Sequence, residues 1–438
     1  HQDANDNNLI VSPDGSAVTG LIDFGDMTFG RQINELAVTL AYALLDMPDV
    51  YSAARPLIAG YAAACPLQPD EAEVVFDLVA ARLAMSVCVS SHRAKEFPDN
   101  EYLLVSQAPA LRLLARLDQT NPALLGAFTR EAAGLPAVPA HDGVVAWLSS
   151  DACAPKPVFD FDLNRAGRSL VLLTPGASGM EHAADPNGYW VWLRDRLSVE
   201  GARFGIGRYG EVRPVYSSDQ YRMAASPERR SQHLGVDLFI EPGTQVLAPL
   251  DGRVFSVADN AGALDYGPTV ILEHEAGPGG PPFFTLYRHL AREALTRLKP
   301  GMTVAAGQCI GTIGTPDVNG GWAPHLHFQI ITDRLGMTGD FPGVGQPGLW
   351  PVWSRLSPDP NLILRLAPES YVADPAPPAV LLERRARLLG PSLSISYRKK
   401  LKIVRGRGAY LYDHTGRAFV DGVNNICHVG HAHPRVVE

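Results

Sequence analysis

The run APHLHFQI at 323–330 places His325 and His327 two apart in a stretch that reads as a strand. Side chains at i and i+2 of a strand point to the same face, so both imidazoles reach into one small volume. Upstream, QHLGVD carries His233 and, four residues on, Asp237. In extended chain these two lie roughly 13 Å apart, too far to share an ion, and Gly235 permits a bend that brings them together. They then offer nitrogen and oxygen donors at the about 2.0–2.2 Å that zinc requires, with His327 as a third. Three protein donors and one open position suit a catalytic zinc and not a structural one. TLYRHL adds His289 at another strand end. The residue types leave three readings open: a chance pairing, a hydrogen-bonded histidine pair, or a metal site.

A second constellation lies at the start of the chain. HQDANDNN contains Asp3 and Asn8, and LIDFGDM places Asp23 on a turn. A carboxylate base, a nearby asparagine and a second aspartate are what phosphoryl transfer with magnesium needs. The plain alternative is a polar turn followed by a strand.

The elements around these residues change texture along the chain. Residues 1–30 read as strand, PDGS turn and strand. From Arg31 to about Leu117 apolar residues recur at spacings of three and four, a helical pattern, with Asp70 as an expected N-cap after Pro69. TNPALL opens a short helix that GLPAVPAHDG breaks. From about 165, short β-rich runs alternate with Gly and Pro turns, the pattern of an antiparallel sandwich or barrel. VADPAPPAV is a Pro-rich linker, followed by a basic helix at about 380–389 and short strands.

The formal charge of −8 argues against nucleic acid as a main partner. No apolar run reaches the ~18 residues that span a bilayer, so no membrane partner is expected. Five scattered cysteines (Cys65, Cys88, Cys153, Cys309, Cys427) form no C-x-x-C pair, which fits a reducing compartment. The chain opens on His1 and stops directly after a motif-like run, so it reads as a piece of a longer polypeptide.

HLGVD, YRHL and HLHF, in this order, resemble the LytM/lysostaphin-type zinc metallopeptidases over roughly 200–335. The accessory phrases GTQVLAPLDGRVFSV, DYGPTVILEH and LKPGMTVAAGQCIGTIGTPDVNGGWAPHLHF fit the same family. The resemblance implies a small, mostly antiparallel sheet with a groove. It implies His233, Asp237 and His327 as zinc ligands, and His325 and His289 as the non-ligand histidines. His325 would then move the proton, and His289 would orient water or steady the oxyanion. The ERRSQ segment and the stretch 181–231 match no substrate loop of that family.

HQDANDNN with IDFGDMTFGRQINELAVTLAYALL resembles the aminoglycoside-phosphotransferase/protein-kinase-like family, closest to its small-molecule amine kinases. This implies Asp3 as catalytic base and Asn8 and Asp23 as holders of Mg2+, with ATP as co-substrate. The family's Gly-rich loop and phosphate-binding lysine precede this segment, so the kinase part is expected to be inactive in this chain. GRGAYLYDHTGRAFVDGVNNICHVGHAHPRVVE resembles the N-terminal arm of class III aminotransferases, which use pyridoxal phosphate through a lysine far downstream. That part is likewise expected to be inactive, and His428, His431 and His433 read as ordinary sequence of that arm.

The expected fold class is multidomain α+β. A helical kinase-like C-lobe (1–134) and a linker (135–164) precede a mostly antiparallel β peptidase domain (165–371). A second linker (372–380) leads to a partial pyridoxal-phosphate transferase arm (381–438). The expected activity is zinc-dependent endopeptidase within a larger cytoplasmic fusion, acting on a peptide, with a small amine or amino-alcohol as substrate of the full-length protein. The alternative is a non-catalytic β spacer joining two metabolic enzymes.

Overall fold

The computed structural model describes all residues except 2, 26, 172, 174–181, 183–184, 214–215, 217, 263–264, 368–377, 391–399, 408–409, 414–417 and 421–438. A hairpin, β1 (Leu9–Val11) and β2 (Val18–Leu21), leads into six helices: α1 (Ile33–Ala43), α2 (Val50–Ala64), α3 (Pro69–Glu96), α4 (Gln107–Asp118), α5 (Pro122–Ala132) and α6 (His141–Leu148). Their apolar residues fall at helical spacing and are buried: Leu36, Leu40 and Leu44 along α1, and Ala72, Val75, Phe76, Val79 and Leu83 along α3. α3 starts two residues earlier than an N-cap at Asp70 would give, with Gln68 as the N-cap. Pro69 opens it, where a missing N–H is no loss, and the Glu71 carboxylate accepts the Gln68 N–H at 2.9 Å. The same helix is long and apolar enough to cross a membrane by length and composition. Asp77 and Arg82 interrupt it, and here it packs on α1, α4 and α5, leaving Val74, Met85 and Val89 exposed.

The second half is built on one eight-stranded sheet. Its strands are β3 (Arg168–Leu170), β4 (Phe204–Gly207), β6 (Val236–Phe239), β8 (Gly252–Asn260), β9 (Gly267–Glu275), β10 (Pro282–Arg288), β11 (Thr303–Val304) and β13 (His325–Ile331). Two short ladders flank it, β5 (Gln232–His233) with β14 (Val344–Gly345) and β7 (Gln245–Leu247) with β12 (Cys309–Thr312). The order across the sheet is β11-β8-β9-β10-β13-β6-β4-β3, and every pairing is antiparallel except β3 with β4. α7 (Pro186–Val199) connects that parallel pair, as a crossover must. α8 (Glu293–Arg297), α9 (Trp350–Leu356) and α10 (Asn361–Leu364) decorate the sheet; α11 (Pro378–Leu388) and a three-stranded antiparallel ribbon, β15 (Ile403–Arg407), β16 (Tyr410–Asp413) and β17 (Ala418–Val420), follow.

The expected order of a helical part followed by a mostly antiparallel β part holds. The sheet is open, not a sandwich or barrel, because other elements cover its faces. On one face Val236, Leu238, Val270, Leu272, Phe328 and Ile330 share a core with Val144, Leu148, Cys153, Val158, Phe159 and Leu163. Residues 135–164, expected as a linker with some structure of its own, carry α6 and pack against the sheet. Their backbone joins it too: Leu247 N–H donates to Val158 O at 2.8 Å. On the opposite face Ile271, Phe284, Leu286 and Ile331 join the core of the helical block, together with Trp353 of α9. Asn121 locks this junction. Its side-chain oxygen caps α5 by accepting from Ala123 N and Leu124 N at 2.9 and 3.2 Å, and its amide donates to Leu335 O at 3.0 Å.

Because helical block and sheet share this core, they should unfold together. Trp353→Ala should destabilise the chain by about 3–5 kcal/mol and leave one denaturation transition that helix and tryptophan probes report alike. Two separated transitions in the parent protein would refute the shared core.

Candidate metal centre and active site

The register of β6 with β13 sets Asp237 directly opposite His327 and Phe239 opposite His325. Phe284, Leu286 and Ile331 share that face, so the centre sits on the side of the sheet that the helical block covers further along. His233 arrives from β5, one turn of chain before β6. Gly235 lies in that turn, and its φ is not positive. Its role is space: a Cβ there would meet His327 Cε1 at 2.6 Å and Phe328 O at 2.8 Å. The His327 ring lies over the glycine.

Three atoms converge. His233 Nε2 is 3.2 Å from Asp237 Oδ1, His327 Nδ1 is 3.0 Å from the same oxygen, and the two nitrogens are 3.1 Å apart. The far sides of the rings decide what these atoms carry. His233 Nδ1–H donates to Arg208 O at 2.8 Å, and His327 Nε2–H donates to Gln329 Oε1 at 3.0 Å. The Gln329 amide is held in that sense, since its nitrogen donates to Pro342 O at 3.1 Å and to Ser357 Oγ at 2.7 Å. Both inner nitrogens are therefore lone pairs, and with Asp237 Oδ1 three acceptors face one another in a buried pocket. Only a cation relieves that crowding. Donors about 2.0–2.2 Å from a tetrahedral ion stand about 3.3–3.6 Å apart, so a small outward movement admits zinc. Among the described residues this trio forms the one group with three metal-ligating atoms in reach of one another.

A proton is a poor substitute for that cation at neutral pH. Burial brings the His327 imidazole down to about 4, and burial followed by the nearby Arg213 charge lowers His233. Burial works to raise Asp237, but the groups around it, the charged Arg213 guanidinium among them, outweigh it and hold the carboxyl well below its usual range. The outer oxygen of Asp237 accepts from Arg213 Nη1 at 2.6 Å.

The other two histidines sit beside this trio without joining it. His325 Nδ1–H donates to Ala323 O at 2.6 Å and its Nε2 lies 3.7 Å from Asp237 Oδ1. His289 Nδ1–H donates to Asn319 O at 3.0 Å, and its ring centroid is 4.2 Å from that of His325. His289 has φ of 60°, a left-handed backbone rare for a side chain with a Cβ; it follows directly on β10 and turns the ring toward the site. Burial lowers both imidazoles, that of His289 further by the neighbouring His325. Each is neutral at pH 7 with Nε2 as an acceptor.

At the start of the chain Asp3 and Asn8 meet. Asn8 Nδ2 donates to Asp3 Oδ2 at 2.9 Å, while Arg82 Nη2 donates to Asp3 Oδ1 at 3.1 Å. Asp23 follows Ile22, whose N–H donates to Asn8 O at 3.0 Å. Asp23 is exposed and left-handed, with φ of 59°. His428, His431, His433 and the segment 372–377 lie outside the described residues.

Sequence reasoning passed over Arg213 and Gln329. Gln329 stands two residues after His327, hence on its face of β13, and that spacing was a usable signal. Arg213 lies in the stretch 181–231 that matched no loop, and no motif points to it.

Comparison with known proteins divides the chain in the same way. Residues 231–337 match peptidase family M23, and residues 1–74 match the phosphotransferase enzyme family. The hydroxylysine kinase of Danio rerio is 36% identical over 121 residues, 27% of this chain and 34% of the kinase. An uncharacterized metalloprotease of Haemophilus influenzae is 33% identical over 142 residues, covering 32% of this chain and 27% of that protein. An alanine–glyoxylate aminotransferase 2-like protein of Drosophila melanogaster is 44% identical over 57 residues, 13% of this chain and 12% of its own length. The chain thus spans about a third of the length of the kinases it matches. Among solved structures, the catalytic domain of lysostaphin from Staphylococcus simulans is 29% identical, with 27% of this chain and 79% of that chain covered and a TM-score of 0.20. Residues 231–337 are thus similar to peptidase family M23, and residues 1–74, ahead of them in the chain, to a phosphotransferase family.

Two outcomes check this geometry. Gly235→Ala should push the His327 ring aside and abolish stoichiometric metal binding, measured by elemental analysis. Six buried histidines (141, 233, 274, 289, 325 and 327) have lowered pKa values. The unfolded chain therefore takes up more protons than the folded one below about 6.5. With chelator present, the melting temperature should hold above pH 6.5 and fall toward pH 4; a flat profile would contradict the neutral assignments.

Proposed function

We propose that the sheet domain is a zinc-dependent endopeptidase. The observation that carries this reading is the meeting of three lone pairs, from His233, Asp237 and His327, in a buried pocket with two neutral histidines alongside. These three residues would hold the ion. Zinc supplies Lewis acidity for a scissile carbonyl and lowers the pKa of water. The chain's own residues supply the rest. His325, with Nδ1–H fixed on Ala323 O, presents Nε2 as general base for the attacking water and then hands that proton to the leaving amine. His289, with Nδ1–H fixed on Asn319 O, presents an acceptor, which suits holding water more than donating to an oxyanion.

The flanking parts extend the proposal to the whole protein. The relatives are named as kinases of hydroxylysine and as aminotransferase-like proteins. We read the full-length protein as a cytoplasmic fusion that frees a hydroxylated amine from a peptide, phosphorylates it with ATP and Mg2+ through Asp3, Asn8 and Asp23, and passes the phosphate ester to a pyridoxal-phosphate module. The competing reading is a β spacer between two enzymes; a spacer has no need of a filled ligand set with both flanking histidines.

Zinc content separates the two, since a spacer would hold none. His327→Ala should lose most bound zinc, because two donors are too few. His325→Ala should keep zinc and lose hydrolysis by about 100-fold or more. Peptides bearing a hydroxylated residue should be cleaved; cleavage of glycine-rich cross-bridges alone would reject the pathway while sparing the peptidase. The polypeptide of residues 1–438 should transfer no phosphate from ATP to hydroxylysine, and transfer dependent on Asp3 would overturn its expected inactivity.

A further inference from the structure

Behind the three converging donors lies a second buried layer that the peptidase reading does not use. Arg213 is 1% exposed. Its Nη1 donates to Asp237 Oδ2 at 2.6 Å and to the Tyr216 hydroxyl at 3.3 Å, and its Nε donates to Glu211 Oε2 at 3.1 Å. Glu211 is itself buried; its Oε1 accepts from Leu173 N at 3.3 Å, and Arg208 Nη2 stands 3.7 Å from that same oxygen. Two cations and two anions, all desolvated, thus form one network that ends on the outer oxygen of the aspartate donor. A buried guanidinium presents its donors in a fixed fork, so it sets direction as well as charge.

The fold makes room for this group. Gly207 of β4 pairs with Asp237 of β6. A Cβ on Gly207 would sit 2.8 Å from Arg213 Nη2 and 3.1 Å from Asp237 Cβ. The guanidinium occupies the volume where β4 would otherwise carry a side chain. β4 is part of the β3–α7–β4 unit added to the edge of the sheet, so this unit walls the back of the centre.

Resting on the zinc reading above, we propose that Arg213 is a positioning residue that confines Asp237 to metal ligation through one oxygen. With Oδ2 engaged by Arg213, only Oδ1 faces His233 and His327. A carboxylate free to turn would offer both oxygens and take a further position on the ion. Arg213 keeps the donor count at three, and Glu211 holds Arg213 in place.

The test is made on the full 438-residue chain loaded with zinc or with cobalt(II). X-ray absorption on the zinc-loaded parent protein should show four light-atom neighbours with a single carboxylate oxygen at about 2.0–2.2 Å. Arg213→Met should weaken zinc binding by about 10–100-fold and dim the visible cobalt(II) bands, as four-coordination gives way to a higher number. Arg213→Lys should recover part of both, which a loss of packing alone would not produce. A two-oxygen carboxylate in the parent protein overturns the inference, and so does Arg213→Met with parental affinity and spectrum. If Arg213→Met fails to fold, the parent absorption spectrum and Arg213→Lys still decide. A parent protein that binds no zinc at all would instead overturn the peptidase reading on which this rests.

Discussion

Three acceptor atoms held 3.0–3.2 Å apart and shut away from water are the constraint that the rest of this structure answers to. Left alone they repel, and burial strengthens the repulsion because little solvent screens it. The arrangement persists because each donor is gripped from behind: His233 by the Arg208 carbonyl, His327 by Gln329, Asp237 by Arg213. Each grip fixes a tautomer or an oxygen, so the inner atoms have no alternative partner among their neighbours. A cation entering there would offset the cost of crowding like groups, and the tight outer bonds limit how far the donors relax without one.

Sheet register converts this local demand into a fold. Asp237 and His327 face each other because β6 and β13 pair antiparallel, and a slip of one residue would send His327 to the opposite face. That slip is opposed from both sides of β13. Leu326, Phe328 and Ile330 are fully buried in one core, and Ile331 reaches the other. The alternation His325-Leu-His327-Phe-Gln329 places polar groups on the face of the centre and apolar groups beneath it.

That alternation is also why so much of the centre was legible in sequence. HLHF at period two, a glycine between His233 and Asp237, and a histidine closing β10 are local patterns with direct geometric consequences. Gly235 was read as permitting a bend, and the structure adds a reason that sequence does not carry: the His327 ring leaves no room for a Cβ there. The Arg213–Glu211 layer was not legible, because its residues join the site only through the packing of β4 beside β6, and no spacing along the chain encodes that contact. The packing of residues 135–164 was not legible for a related cause. Their prolines speak of irregular backbone, yet the segment carries α6 and buries Cys153, Val158 and Phe159 against a sheet.

The packing of 135–164 alters how the modules of this chain relate. Short flexible linkers would raise the effective concentration of one module's product at the next site without fixing any orientation. Here the helical block and the sheet share a core through Leu124, Leu125, Phe128, Ile331 and Trp353, and Asn121 hydrogen-bonds across the junction. β13 spans both regions, with His325 and His327 at one end and Ile331 at the other. Looseness in the shared core would therefore reach the strand that carries two of the site's histidines. The phosphotransferase-like block contributes to the rigidity of the candidate metal centre as part of its foundation, and the two similarities found along this chain meet in a single folded body.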